Sequence, residues 1–351
     1  MDEIAFFRVV RLLSLKRLWN FGKALGGMAL SGLSGKHVVL GLPFALKVEP
    51  TNLCNLDCLQ CTTGQNRLTR PRGSLKSQDF RRLIDQTADC VFHLLLYFQG
   101  EPFLNVEVLE FVRYAREKKV YVIVSTNGHF FGEQGIVEET IASGLDSLII
   151  SLDGATPGTY RKYRPGGDFD LVVDGIRRVV AAKRAAASRT PLICLQFIAT
   201  KHNEHEVDQI RAMAKSLGVD RLLIKSMHVY FPETGPQFLP VDPRLSRYNP
   251  CGDTLSAKGR KRRICKNLWT SAVITWDGTV VPCCFDQDAL YALGNVLCEQ
   301  SFEEVWFSER YAQFRTQVLS SPDDIPMCAS CGKDAPYLQV SDLRRHTAVA
   351  R

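Results

Sequence analysis

Phe44-Ala45-Leu46-Lys47-Val48-Glu49-Pro50-Thr51-Asn52-Leu53-Cys54-Asn55-Leu56-Asp57-Cys58-Leu59-Gln60-Cys61 is an apolar run followed by a loop holding three cysteines. The run reads as a β-strand, and the spacing C-x3-C-x2-C places three thiolates within reach of one iron–sulfur cluster. A cluster kept for structure is normally held by four thiolates, so one iron corner is left unclaimed. An unfilled metal position marks a site that takes an exogenous ligand, as in catalytic rather than structural zinc sites. Zinc is the alternative for three close cysteines, but zinc sites favour paired C-x2-C units with histidine, and no histidine lies nearby.

The rest of the chain supports metal-ligating thiols. It has 351 residues and 12 cysteines, of which Cys54, Cys58 and Cys61 form one group and Cys328 and Cys331 another. A disulfide-stapled secreted domain would be shorter and would follow a signal peptide, which the Met-Asp-Glu start does not resemble. Reduced thiols in a cytoplasmic protein are the expectation. The net charge of +7 comes partly from a run at Lys258–Arg263 before Cys265. That run reads either as contact with an anionic partner or, preferably, as a solvated loop; no nucleic-acid-binding motif accompanies it, so no nucleic-acid partner is expected.

Hydrophobic periodicity divides the chain. Residues 1–39 form an amphipathic, helical N-terminal segment in which Phe6, Phe7, Leu12, Leu13, Leu18, Trp19 and Phe21 alternate with Arg8, Arg11, Lys16, Arg17 and Lys23. No uncharged stretch approaches the roughly 20 residues of a membrane span. The segment fits a helix lying at the inner face of a membrane, and equally one packed on its own domain, which is the preferred reading. Residues 40–235 alternate apolar runs at 44–48, 91–98, 120–125, 147–152, 192–199 and 221–226 with helical stretches near 77–89, 105–118, 133–143, 170–187 and 204–217. Six strands with intervening helices predict an α/β fold with a parallel sheet or barrel, whose ligands gather at the C-terminal strand ends. A proline-rich linker (236–250), a cysteine-rich unit (251–335) and a polar, mobile tail (336–351) follow.

With these motifs in place, the chain resembles the radical S-adenosylmethionine (SAM) superfamily, whose cysteine loop sits on the first strand of a partial (β/α)6 TIM-like barrel. The resemblance implies that SAM binds the open iron of a [4Fe–4S] cluster and is cleaved to a 5′-deoxyadenosyl radical. It implies an electron donor such as flavodoxin or ferredoxin. Gln99-Gly100-Glu101-Pro102 at the second strand end looks like the family's Gly-Gly-Glu-Pro segment, which binds the SAM ammonium; Gln99 replaces the first glycine. Ser125-Thr126-Asn127-Gly128 and Ser151-Leu152-Asp153-Gly154 follow the third and fourth strands. In relatives these ends lie against the ribose and methionine portions of SAM, which implies contacts from Ser125, Asn127, Ser151 and Asp153. Each tetrapeptide alone is explained as well by a turn. Arg164 either pairs with the SAM carboxylate or is an ordinary surface arginine. Gln60, where many members carry an aromatic residue, departs from the pattern.

Cys265, Cys283, Cys328 and Cys331 are separated by seventeen, forty-four and two residues, and an Asp277-Gly278 turn predicts a hairpin between the first two. Together they supply four ligands for one closed auxiliary [4Fe–4S] cluster. This layout resembles the SPASM/twitch extension of radical SAM enzymes. Cys284 competes with Cys283 for the ligand position, and a structural zinc is the alternative to the cluster. Cys90 and Cys194 read as core, and Cys251 and Cys298 as spare, buried thiols.

A closed auxiliary cluster is suited to accept an electron. The expected reaction is therefore oxidation of a small or amphipathic metabolite such as a sugar, lipid or tetrapyrrole, by dehydrogenation or at a C–H position. A ribosomal-peptide maturase is the second reading, weakened because 39 residues before the barrel leave no room for a peptide-clasping domain. A two-cluster electron-transfer protein is the third. No catalytic acid or base is legible; Tyr97, Gln196, Lys225 and His228 are pocket candidates.

Overall fold

The structure is a computed structural model that describes residues 12–251, 254–258, 264–298, 300–329, 331 and 338–344. They fall into two compact units: residues 1–53, 68–123 and 262–331, and residues 54–67, 124–261 and 332–351.

In the first unit, helix α1 (Leu15–Ser34) precedes β1 (Ala45–Val48), α2 (Ser77–Thr87), β2 (His93–Leu95), α3 (Val108–Glu117) and β3 (Tyr121–Thr126). β1, β2 and β3 pair in parallel, with Leu46 opposite Leu94 and Leu94 opposite Val122. These three residues are fully buried. Apolar runs without polar alternation are what a sheet covered on both faces requires. Phe21, Phe44 and Phe92 close one end of this core as a ring cluster, with Phe44 and Phe92 stacked at 5.2 Å.

The second unit carries α4 (Ile136–Ala142), β4 (Ser147–Ser151), α5 (Pro157–Tyr163), α6 (Phe169–Ala185), β5 (Leu192–Ala199), α7 (Val207–Leu217) and β6 (Arg221–Ser226). β4, β5 and β6 are parallel neighbours. The hairpin β7 (Tyr248–Cys251) and β8 (Thr254–Ala257) follows. All six strands predicted from the apolar runs are present. Helix α5 lies outside the predicted helical stretches; Thr156 caps it, accepting a hydrogen bond from the Thr159 N–H, and Pro157 takes the first helical position, where its missing N–H costs nothing.

The cysteine-rich segment belongs to the first unit. It contains α8 (Asn267–Thr270), β9 (Ser271–Ile274), β10 (Thr279–Val281), β11 (Gly294–Asn295), α9 (Phe302–Trp306), α10 (Glu309–Ser320) and α11 (Pro326–Ala329). The predicted hairpin is β9–β10, turning at Gly278 with φ +83°. Its strands extend an existing sheet, since β9 pairs in parallel with β1.

The polar tail does not behave as a loose end throughout. β12 (Leu338–Asp342) pairs antiparallel with β6, covering an edge that would otherwise leave backbone groups unpaired. The basic run falls outside the described residues except for Lys258, whose ammonium donates to the Pro243 and Ser246 carbonyls. The predicted N-terminal helix is described from Leu15 onward. Among the described residues no helix is long and apolar enough to cross a membrane.

Candidate functional site

Cys54, Cys58 and Cys61 lie on one turn of loop in the second unit. The Cys61 N–H donates to the Cys58 carbonyl at 3.2 Å, and the Gly64 N–H approaches the Cys61 sulfur at 3.5 Å. The loop is fastened to the end of α5: Asp57 N–H donates to Pro165 O and Leu59 N–H to Tyr163 O, both at 3.3 Å. Gln60 acts as a strut instead of a ring. Buried, it accepts from the Tyr230 and Phe231 N–H groups, each at 3.2 Å, and donates to Thr234 Oγ1 at 3.0 Å.

Arg164 is no surface residue. Its Nε donates to Asp153 Oδ2 at 2.7 Å and its Nη1 lies 3.9 Å from Cys58 Sγ. Asp153 is fully buried and also accepts from the Ile198 N–H at 2.6 Å. Burial pushes the Cys58 thiol up to about 12; Arg164 opposes the shift, while Cys61, Cys54 and Asp153 reinforce it. A thiol buried as Cys58 is becomes a thiolate only against compensating positive charge, which a metal cluster provides on binding. Asn127 donates to Asn55 Oδ1 at 2.7 Å within the cysteine loop, and Ser151 Oγ accepts from Gln196 at 3.3 Å. Ser125 is half-buried. Asn55 was not singled out from the sequence, where a lone loop asparagine carries no signal.

In the first unit, the Gln99–Pro102 segment is anchored to the backbone leading into the cysteine loop. The Glu101 N–H donates to Leu53 O at 2.7 Å, and the buried Glu101 carboxylate accepts from the Phe103 N–H at 3.2 Å. The Gln99 N–H donates to Glu49 Oε1 at 3.3 Å. Glu49 is itself fully buried in a two-pronged pair with Arg70 and accepts from the Trp276 N–H of the cysteine-rich segment at 3.1 Å.

The second cysteine set divides into two parts. Cys265 and Cys283 both face Tyr311 and raise its hydroxyl, which burial first pushes up, to about 12. Cys328 and Cys331 share a turn, the Cys331 N–H donating to Cys328 O at 3.1 Å. Cys283 is buried and Cys284 partly so. Cys194 is in the core as expected, Cys90 is half-buried, and Cys298 is exposed rather than packed, because it follows the β11 turn. Among the described residues no three His, Cys, Asp or Glu side chains converge on a single-ion position. A four-iron cluster gives each thiolate its own iron, so its ligands need not meet at one point.

The donor sets fit iron–sulfur clusters. Three loop thiols, with a buried guanidinium beside Cys58, suit an anionic thiolate-bound cluster with one iron left for another ligand. At the second set, the Tyr311 hydroxyl and the Arg315 guanidinium are buried against each other, and neither Tyr311 Oη nor Arg315 Nη2 makes a well-aligned hydrogen bond. Buried donors of this kind are costly unless an acceptor arrives, and the sulfur atoms of a cluster are acceptors.

Lys47 Nζ sits 5.5 Å over the Tyr97 ring, while His228 Nδ1 faces Arg247 Nη1 at 3.0 Å and Tyr248 Oη at 3.1 Å. Burial and Arg247 push His228 down to about 3, so its ring is neutral.

Two family models match the chain, the radical SAM superfamily over residues 48–194 and the SPASM iron–sulfur cluster-binding domain over residues 265–332. The tungsten-containing aldehyde ferredoxin oxidoreductase cofactor-modifying protein of Pyrococcus furiosus is 24% identical over 85% of this chain and 90% of its own length. The mycofactocin maturase MftC of Mycobacterium ulcerans is 26% identical over 84% of this chain and 81% of its own. The crystal structure of Streptococcus suis SuiB bound to SAM superposes with a TM-score of 0.61 at 14% identity, covering 79% of this chain and 68% of that one, a likeness of fold. Fold and cysteine placement thus define an α/β iron–sulfur protein built on a partial (β/α)6 TIM-like barrel. The chain is a radical SAM enzyme with a C-terminal SPASM domain, and its cofactors are SAM, the SAM-binding [4Fe–4S] cluster and auxiliary iron–sulfur.

Proposed function

We propose that the chain is a SAM-dependent radical oxidoreductase acting on a small or amphipathic metabolite. The observation that carries this reading is the arrangement at Cys58, one of three loop thiols, beside a buried Arg164–Asp153 pair, with a separate four-cysteine set later in the sequence. When bound, the cluster and SAM supply a 5′-deoxyadenosyl radical that removes a substrate hydrogen atom. Cys54, Cys58 and Cys61 hold three irons of that cluster. Arg164 offsets the thiolate charge, and Asp153 fixes the guanidinium plane. Gly100 and Glu101 take the SAM ammonium, and Gln99 and Pro102 hold that segment in place. Ser125, Asn127 and Ser151 offer small polar contacts to the ribose and methionine portions.

Cys265, Cys283, Cys328 and Cys331 would hold one auxiliary [4Fe–4S] cluster with no open iron, whose chemistry would be to accept the electron left on the substrate after hydrogen removal. This is the step that makes the net reaction an oxidation. A second reading, peptide maturation, is favoured by the similarity to a mycofactocin maturase over 84% of the chain.

Anaerobic reconstitution with SAM and dithionite is expected to yield about eight irons per chain, falling to about four in Cys265→Ala/Cys283→Ala. Cys58→Ala is expected to lose 5′-deoxyadenosine release. Stimulation of that release by a ribosomally made precursor peptide, and by none of a panel of sugars, lipids and tetrapyrroles, would replace the metabolite reading with the maturase one.

A further inference from the structure

Helix α1 is inside out. The residues it buries are Arg17, Asn20, Ala24, Gly27 and Ser31, a stripe at helical spacing made of polar and small side chains. Each polar member of that stripe is bonded to backbone in its own unit. Arg17 donates to the carbonyls of Ala88, Lys118, Lys119 and Leu12, at 2.5 to 3.0 Å. Asn20 exchanges two hydrogen bonds of 2.9 Å with Leu42, and Ser31 exchanges two with Val38. Gly27 and Gly41 permit this close approach: a Cβ at Gly27 would meet Leu40 N and Val38 O at 2.9 Å.

The opposite face is apolar and open. Leu15, Trp19 and Leu33 are 86%, 72% and 83% exposed, and Leu18 and Leu30 nearly half. With Gly22 and Gly26 between them, positions 15, 19, 22, 26, 30 and 33 run the length of the helix on one side. A water-facing helix has the reverse polarity, with charged residues outward. A continuous exposed apolar face of this kind marks a surface that meets another apolar phase.

The charges select the partner. With Arg17 turned inward, the outward charges of α1 are Lys16 and Lys23, the helix has no acidic residue, and Lys36 follows its end. The nearby acids are Asp89, paired with Lys16 at 2.8 Å, and Glu303, which shares a shallow cleft with Trp19, Lys23 and Phe307. An interfacial helix has this form: Trp and Leu on one side, Lys at the flank, and a length that lies along a bilayer rather than across it. A second copy of the chain packed face to face would bring Lys16 and Lys23 of both copies to one seam, with no acid in the helix to answer them.

We infer that α1 docks the enzyme onto an anionic lipid surface, inserting Leu15, Trp19, Leu30 and Leu33 while the buried polar stripe holds the helix to the domain. The inference is independent of the reaction and is tested without SAM or substrate. The full chain, with its clusters, is sedimented with large unilamellar vesicles of phosphatidylcholine alone or mixed with phosphatidylglycerol. Wild type is expected to partition onto the mixed vesicles at least tenfold more than Trp19→Ser/Leu33→Ser, whose circular dichroism and iron content match wild type, and to bind neutral vesicles more weakly. Equal sedimentation of the two proteins, or none by wild type, overturns the inference. So does a wild-type dimer in light scattering that the double substitution dissociates without any vesicle binding, which would assign the face to a second copy.

Discussion

Arg164 and Asp153 show how much one buried pair decides. Their side chains are 10% and 0% exposed, so neither charge can be left alone cheaply. Asp153→Asn is expected to lower stability by about 3–5 kcal/mol, read by urea unfolding. Because Arg164 then loses its anchor, the spectrum of the cluster held by Cys58 should change as well. Wild-type stability with an unaltered spectrum would remove Arg164 from its assigned role. Tyr311 gives a second residue-scale test, since its buried hydroxyl lies near Cys265, Cys283 and Arg315. A hydrogen bond to a cluster sulfur favours the reduced form by about 1 kcal/mol. At 59 mV per 1.4 kcal/mol for one electron, Tyr311→Phe is expected to lower the auxiliary midpoint potential by about 40 mV at unchanged iron content, measured by an EPR-monitored titration. An unchanged midpoint would mean the hydroxyl donates elsewhere.

At the scale of elements, the turn after β2 is the most constrained. Gly100 has φ +74°, and a Cβ there would lie 2.5 Å from Thr51 O and 2.6 Å from Leu53 O. Both are backbone atoms and cannot swing aside. Gly100→Ala is therefore expected to cost about 2 kcal/mol or more from the left-handed backbone and the clash together. It should also abolish 5′-deoxyadenosine release, because the same backbone leads into Cys54. A stable, active alanine variant would show that the turn is not required as built. Glu49 adds a coupling the motif search did not contain: one carboxylate receives Arg70, the Gln99 N–H and the Trp276 N–H, tying β1, the Gln99–Pro102 segment and the β9–β10 hairpin together.

Over the whole molecule, two half-buried histidines contribute to acid sensitivity. Burial lowers His93 to about 4, and burial with Arg247 lowers His228 to about 3, from an ordinary 6.5. Below pH 6.5 the unfolded chain takes up protons that the folded chain refuses, so stability falls as the pH falls toward those values. At pH 5.5 each histidine is expected to reduce stability by about 1.2 kcal/mol relative to neutral pH. Unfolding of His228→Gln should show a correspondingly shallower loss between pH 7 and 5.5. An identical pH profile would place the acid sensitivity in other groups.

The parallel α/β class, six strands and both cysteine sets were legible in the sequence, because apolar runs and short spacings such as C-x3-C-x2-C are local and survive without knowledge of the fold. The side-chain partners were not. Gln60 read as a missing ring and is a strut to Tyr230, Phe231 and Thr234; Arg164 read equally as surface and is buried on Asp153. Helix α1 was amphipathic on paper with no sign of which face turns inward. Hydrophobic patterning alone would bury its leucines, but the free carbonyls of Ala88, Lys118 and Lys119 draw Arg17 inside instead. Sequence by itself determined the chemistry its thiols can do. Only the tertiary structure decided which charges stand beside them and which face of the N-terminal helix is left to solvent, since both depend on partners distant in the chain.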